Sequence, residues 1–440
     1  MNHLDDGVWR PAAGNAQLRA SALRLPRLSR RAGFWAVAFS FFAVTAFSTA
    51  PSGLYGLYEH RERLSSITIT IVYAVYVLGV VGSLVLAGHV SDWYGRRAVL
   101  IPGVIIAIVA ALLFITWKSL AGLIVARIVT GVALGATVAT ATAYLSDLDA
   151  GSDAVATRRA GIVATIANIG GLASGPLIAG LLARYEPNGL TLPYVIFLAA
   201  LLVAAFAVAR APDGRPPLQP RPTYRPQRLK APERARGQFI AATIGASLAF
   251  AVFGLFAGLA GTFLAGPLHH PSAALAGFAI FLTFGAGVVV QTTTISWPAH
   301  RLLAAGIAPI ILGLCVLVYS AWTSPPSLTL FLIGGAGAGA GGGAIFRGSL
   351  SVVLSTSTAD DRAGAVATFF IAGYAGLSLP VLGAGIALQH LSPRVTLLIF
   401  GVAVGLGILA ATPVLVRPLE NARGGPSPHS PHPARGRPGH

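Results

Sequence analysis

In the stretch GHVSDWYGRR, Gly88 to Arg97, one carboxylate, Asp92, precedes two guanidinium groups, Arg96 and Arg97, and Gly88 and Gly95 frame the cluster. These groups can form charge-assisted hydrogen bonds, which are stronger than neutral ones. A bond of this kind that exists in only one arrangement of a protein biases the balance between arrangements. A second candidate is Arg127 in ARIVTGVALGA, which shares a helix face with Gly131 and Gly135 at a spacing of four. An arginine at membrane depth is costly, so it either faces a protein interior and does work there or snorkels to an interface. Glu59 and Glu62 follow the first apolar run, Asp147, Asp149 and Asp153 lie at or after the fourth, and none of the 14 acids sits clearly at the centre of such a run. A carboxylate buried in an apolar run can alternate between a proton and a cationic ligand. Without one, any proton relay falls to Glu59, Glu62, Arg127 or an acid at the basic side, and a neutral or anionic ligand is easier to accommodate.

Other chemistries lack their residues. There is no GxxxxGK phosphate loop, no His/Glu metal helix and no GxSxG turn. The one cysteine, Cys315, forms no intramolecular disulfide and fits no metal pattern. The sequence therefore predicts neither an enzyme nor an ATP-driven pump, and no cofactor or metal.

The elements that must hold these groups are membrane helices. The chain is 55% hydrophobic and only 10% charged across 440 residues, against roughly 25% charged in a soluble domain. Apolar windows of about 20 residues, the length of a bilayer-crossing helix, recur almost end to end. The predicted spans are 34–54, 67–87, 98–117, 120–144, 160–183, 192–209, 238–264, 272–290, 302–321, 328–346, 364–387 and 395–416. Continuous apolar runs indicate helices, because barrel strands would alternate apolar with polar. The expected fold is thus all-α and polytopic, with twelve transmembrane helices.

A Pro/Arg-rich stretch at 211–237 reads as a flexible or extended linker. It separates two six-helix halves, 34–210 and 238–416, as in transporters built from two pseudo-symmetric bundles. A basic arm, 1–33, precedes them, and a low-complexity tail, 417–440, follows and is expected to be disordered. The net charge of +17 falls almost wholly on one side. The opposite loops hold Arg61, Arg63, Lys118, Arg184 and Arg394, while Arg127 and Arg347 lie in or at the ends of spans. By the positive-inside rule both termini are cytoplasmic, in a cell membrane. This charge reads as topology and attraction to lipid head groups, not as nucleic-acid binding.

GHVSDWYGRRAVL, between spans two and three, resembles the signature loop of the major facilitator superfamily. Asp92, Gly95, Arg96 and Arg97 match in type and spacing. The resemblance implies that this loop latches the cytoplasmic side shut. The Arg127 run resembles the family's arginine motif implicated in proton transfer. GIVATIANIGGLASGPLIAG, in span five, resembles the glycine series of the family's antiporters, with Gly171, Gly175, Pro176 and Gly180 matching and Gly161 one residue out of register. The second half keeps only Arg301 of the signature loop. In the TADDRAG loop, Asp360, Asp361 and Arg362 are either partners of the first latch or an ordinary solvated loop.

For the cavity, Tyr73, Tyr76, Asn168, Gln291, Arg347 and Tyr374 offer hydrogen bonds or aromatic surface at low charge. Each could equally bridge helices. The expectation is a monomeric secondary transporter of the drug/proton antiporter branch that exports small organic molecules by alternating access. An uptake symporter of the same fold, or a non-transporting membrane receptor or scaffold, stands as the alternative.

Overall fold

The structure, a computed structural model, describes residues 27–416 apart from 88–89, 150–153, 186–188, 215–226, 228, 233–234 and 359–360. The described residues form helices and no strand. Twelve helices are long and apolar enough to cross a membrane. The first half comprises α1 (Arg30–Arg61), α2 (Ser66–Ala87), α3 (Arg96–Thr116), α4 (Leu120–Leu148), α5 (Val155–Tyr185) and α6 (Leu192–Ala209). The second half comprises α7 (Arg236–Ala265), α8 (Ala273–Thr293), α9 (Ala299–Trp322), α10 (Leu328–Thr356), α11 (Arg362–His390) and α12 (Pro393–Leu415). They form two pseudo-symmetric six-helix bundles. The tail 417–440 and residues 1–26 of the arm lie outside the described residues.

Helix boundaries follow local chemistry. Ser119, Ser272, Ser327 and Ser392 cap α4, α8, α10 and α12, each accepting a backbone N–H that the first helical turn leaves unpaired. All four caps lie on the face away from the termini, called here the far face, and the face bearing the described ends is called the basic face. Several helices run beyond their predicted spans. At 29 residues, α4 and α10 are about 43 Å long at about 1.5 Å per residue, longer than the roughly 30 Å of hydrocarbon. Their extra turns project from the basic face, where polar residues hide them from a hydropathy reading.

Two helices are irregular. In α1, Pro51 opens a 3-10 turn, Ala50–Gly53, before the helix resumes over Tyr55–Arg61. In α5, a π turn over Ile166–Gly170 precedes Pro176. Proline has no N–H to give the carbonyl four residues back. The Thr49 hydroxyl of α1 donates to that carbonyl, Leu172 O, at 3.0 Å. The Thr45 hydroxyl likewise donates to Ala167 O of the π turn at 2.7 Å.

Gly95 joins a short helix, Val90–Tyr94, to α3 with φ of 95°, a backbone shape that side chains disfavour. Gly131 of α4 lies so close to α2 that a methyl group would overlap the Tyr76 carbonyl. This approach brings Arg127, one turn away, against α2.

Candidate functional site

The two bundles meet along α5 with α8 and α2 with α11. On the far-face side the contact is dense. Gly277 of α8 rests on the Pro176 carbonyl of α5, Gly180 on the Ala273 carbonyl and Gly385 of α11 against Thr70 of α2. At the same level the Thr262 hydroxyl of α7 lies 3.0 Å from both carboxylate oxygens of Glu59. Glu62, three residues on, is exposed.

Below this seal lies a cavity of about 290 Å³ whose wall comes from both bundles, Thr49, Tyr73, Tyr76, Arg127 and Asn168 on one side and Phe250, Phe253, Gln291 and Tyr374 on the other. It shares Val138, Thr142, Leu350, Phe370 and Tyr374 with a second space of about 740 Å³. That space widens toward the basic face, where Ser91, Arg96, Ser146 and Arg362 line it. The interior is therefore sealed at the far face and continuous toward the basic face.

Arg127 is 1% exposed. It donates to the carbonyls of Ser48 at 2.7 Å, Val72 at 3.4 Å and Tyr73 at 3.5 Å, and its guanidinium carbon lies 4.5 Å from the Tyr76 ring centroid. It makes no ion pair among the described residues. It points into the protein instead of snorkelling. These bonds leave part of its five-donor fork unused.

Other polar groups on the wall are also free. The side-chain amides of Asn168, in the π turn, and Gln291 make no hydrogen bond among the described residues. The Tyr73 hydroxyl is buried without a partner among the described residues. The rest of the wall is aromatic. Tyr374 packs edge-on to Tyr76 across the bundle interface at 6.4 Å and stacks on Phe250 at 6.0 Å. Phe250 in turn meets Phe346 at 4.9 Å, and Phe253 meets Phe284 at 4.7 Å.

Of the six residues expected at a cavity, Tyr73, Tyr76, Asn168, Gln291 and Tyr374 lie on this wall. Arg347 is on neither wall. Its guanidinium donates to the carbonyls of Gln291 and, at 2.8 Å, Ile295, satisfying acceptors that the end of α8 leaves open. The phenylalanines were not singled out in the sequence, since an apolar ring in a membrane helix faces lipid or interior with no change of pattern. Thr49 carried a usable signal, because a proline in a neighbouring helix demands a donor.

The described contacts of the charged loop reach α4 and the start of the linker. Arg96 donates to Asp147 of α4 at 3.1 Å and to the Ser91 hydroxyl at 2.7 Å. Arg97 donates to the Ala211 carbonyl at 3.3 Å and lies 3.7 Å from Asp213. Gly88 and the Asp92 side chain lie outside the described residues. Asp361 pairs at 2.6 Å with Lys230 of the linker, not with the arginines of the loop; Asp360 is outside the described residues.

The linker is anchored where it is described. The Gln227 N–H donates to Val85 O of α2 at 2.9 Å; the Lys230 N–H donates to the Thr368 hydroxyl of α11 at 3.2 Å, and that hydroxyl donates to the Lys230 carbonyl at 3.0 Å. This strap links the bundles at the basic-face mouth. Asp361 is partly exposed, and the Lys230 ammonium, then the Thr358 hydroxyl, hold its carboxyl below the usual range.

In α5 the glycine series divides between two faces. Gly171 and Gly175 press on Thr45 and Ala46 of α1, whereas Pro176 and Gly180 form the seam with α8. Gly161 has open space beside it and lines the cavity. Among the described residues no cluster of three or more His, Cys, Asp or Glu could hold a metal ion.

The sequence pattern of the Major Facilitator Superfamily matches residues 33–332. No curated protein matches the chain significantly. Among solved structures, a variant of the nucleoside transporter NupG is similar at 14% identity and a TM-score of 0.64, covering 87% of this chain and 99% of that one. The human organic anion transporter MFSD10 (TETRAN) is similar at 17% identity and a TM-score of 0.64, covering 88% and 100%. At such identities the likeness is one of fold.

Proposed function

Because the chain belongs to the major facilitator superfamily, a family of membrane transporters that bind small molecules, we propose that it is a proton-coupled exporter of small organic molecules working by alternating access. One observation carries this reading: the interior cavity is sealed at the far face by contacts between the bundles and continuous toward the basic face. That is one of the two end states such a cycle requires. The positive-inside rule makes the basic face cytoplasmic, so the protein stands ready to load from inside a cell membrane.

Export over uptake rests on α5. The Gly-Pro stretch that resembles the antiporter series supplies part of the seam, through Pro176 and Gly180 against α8. Opening the far face has to separate those contacts. Proton coupling rests on Glu59, a titratable acid on the first bundle whose partner, Thr262, belongs to the second. A proton reaching Glu59 from the far face removes the charge that this hydroxyl stabilises, so protonation and seam opening are linked. Arg127 lies deeper and shares no hydrogen bond with Glu59, so its contribution is electrostatic. The chain works as a monomer, each copy holding both bundles and one cavity.

The test is flux in proteoliposomes holding the full chain, with proton gradients of either sign. Substrate moving against the proton flow supports the exchanger, and substrate moving with it supports uptake by symport. A chain that binds ligand and moves none is a receptor.

A further inference from the structure

The central cavity and its mouth are lined by one sign of charge. Among the described lining residues, the charged side chains are Arg127 in the cavity and Arg96 and Arg362 in the wider space; no aspartate or glutamate lines either. Arg96 is committed to Asp147. Arg127 is not committed to any carboxylate among the described residues: it is buried, bonded there only to backbone carbonyls and lies over the Tyr76 ring. A guanidinium cannot shed its proton to escape burial, and a buried charge without a counter-charge is expensive. A bound anion would offset that cost. A bound cation would add to it.

The neutral part of the wall fits the same ligand. Tyr73 presents an unpartnered buried hydroxyl, and the unbonded amides of Asn168 and Gln291 can each donate two hydrogens. Around them stand the rings of Tyr76, Phe250 and Tyr374, and aromatic surfaces favour an aromatic partner packed edge-on or offset. The volume of about 290 Å³ lies at the small end of ligand pockets, which run from about 300 to 1,000 Å³.

We propose that the substrate is a small aromatic organic anion, its acidic group seated toward Arg127 and its ring held among Tyr76, Phe250 and Tyr374. This rests on reading the central cavity as the transport site and names the class of molecule that it takes. The mouth assists. Among its described lining residues the charged side chains are Arg96, already paired with Asp147, and Arg362, and a positive lining concentrates anions before they reach the cavity.

The experiment measures binding to the purified full-length protein, with no gradient, for three probes of one shape: naphthoate, naphthylmethanol and naphthylmethylammonium. Naphthoate is expected to bind about tenfold or more tighter than the alcohol, as a charge-assisted contact in a buried site would give, and the ammonium probe weakest of all. In Arg127→Gln the naphthoate preference over the alcohol is expected to vanish. In Tyr374→Ala naphthoate and the alcohol weaken together, with their ratio kept. Equal or tighter binding of the alcohol or the ammonium probe to the native protein overturns the proposal, and so does a naphthoate preference that survives Arg127→Gln. The native comparison decides the matter even if a variant does not fold. Because no proton gradient enters, an anion that binds but is not exported refutes the export reading alone, whereas gradient-driven export of only neutral or cationic compounds refutes the anion class alone.

Discussion

The Thr262 hydroxyl of α7 lies 3.0 Å from both carboxylate oxygens of Glu59 in the last turns of α1, so a titratable group of one bundle is bonded to the other at the far-face seal. Glu59→Gln keeps a hydrogen-bonding side chain there and removes the titration. We expect substrate exchange at equal pH to persist, while flux driven by a pH gradient falls at least about tenfold, the lower range of what a positioned proton-transfer group contributes. Parallel measurements of counterflow and gradient-driven flux check this. An undiminished gradient response would remove Glu59 from coupling.

Gly131 and Gly161 are both small residues in glycine-rich helices, yet their surroundings differ. Gly131 abuts the Tyr76 carbonyl, and Gly161 faces open space. Gly131→Val is expected to destabilise the first bundle by about 1–3 kcal/mol through overpacking. Gly161→Ala should stay within about 0.5 kcal/mol. Thermal unfolding of the two purified variants beside the native protein measures both. Equal effects would mean that close approach of α2 and α4 does not set stability.

The Asp361–Lys230 pair predicts how the strap responds to acid. The Asp361 carboxyl titrates below its ordinary range because of Lys230 and then Thr358. A depressed carboxyl contributes at pH above its unfolded value, about 3.9, and that contribution is lost as pH falls through the lower folded value. The strap should therefore be insensitive between about pH 5 and 8 and loosen only in stronger acid. Asp361→Asn should reproduce the loosening at neutral pH. Hydrogen exchange at the Lys230 amide, which bonds to Thr368, reads both, and identical exchange in native and variant proteins would show that the ion pair does not hold the strap.

The twelve helices were legible because each is a continuous apolar run, and the two-bundle division because a proline- and arginine-rich stretch interrupts them midway. Gly95 and the arginines beside it were visible as a motif, but their partners were not: Asp147 and Ala211 are 51 and 114 residues away from Arg96 and Arg97 in sequence. Arg347 shows the opposite difficulty. A charge just past the predicted end of the tenth span suggests a cavity, yet the groups it meets are carbonyls at the end of α8. The anchored strap was hidden because proline-rich composition indicates an extended chain without saying what the chain rests on. The aromatic wall was hidden because phenylalanine is common on lipid-facing and inward-facing helix surfaces alike.

The central claim is exchange of substrate for protons, and flux through the reconstituted full-length chain tests it most directly. Vesicles with an acidic lumen, in alkaline medium, drive protons outward; the account predicts that an external substrate then accumulates inside, that a protonophore abolishes the accumulation, and that protein-free vesicles show none. Accumulation only when the lumen is alkaline, or flux indifferent to the gradient, would contradict it.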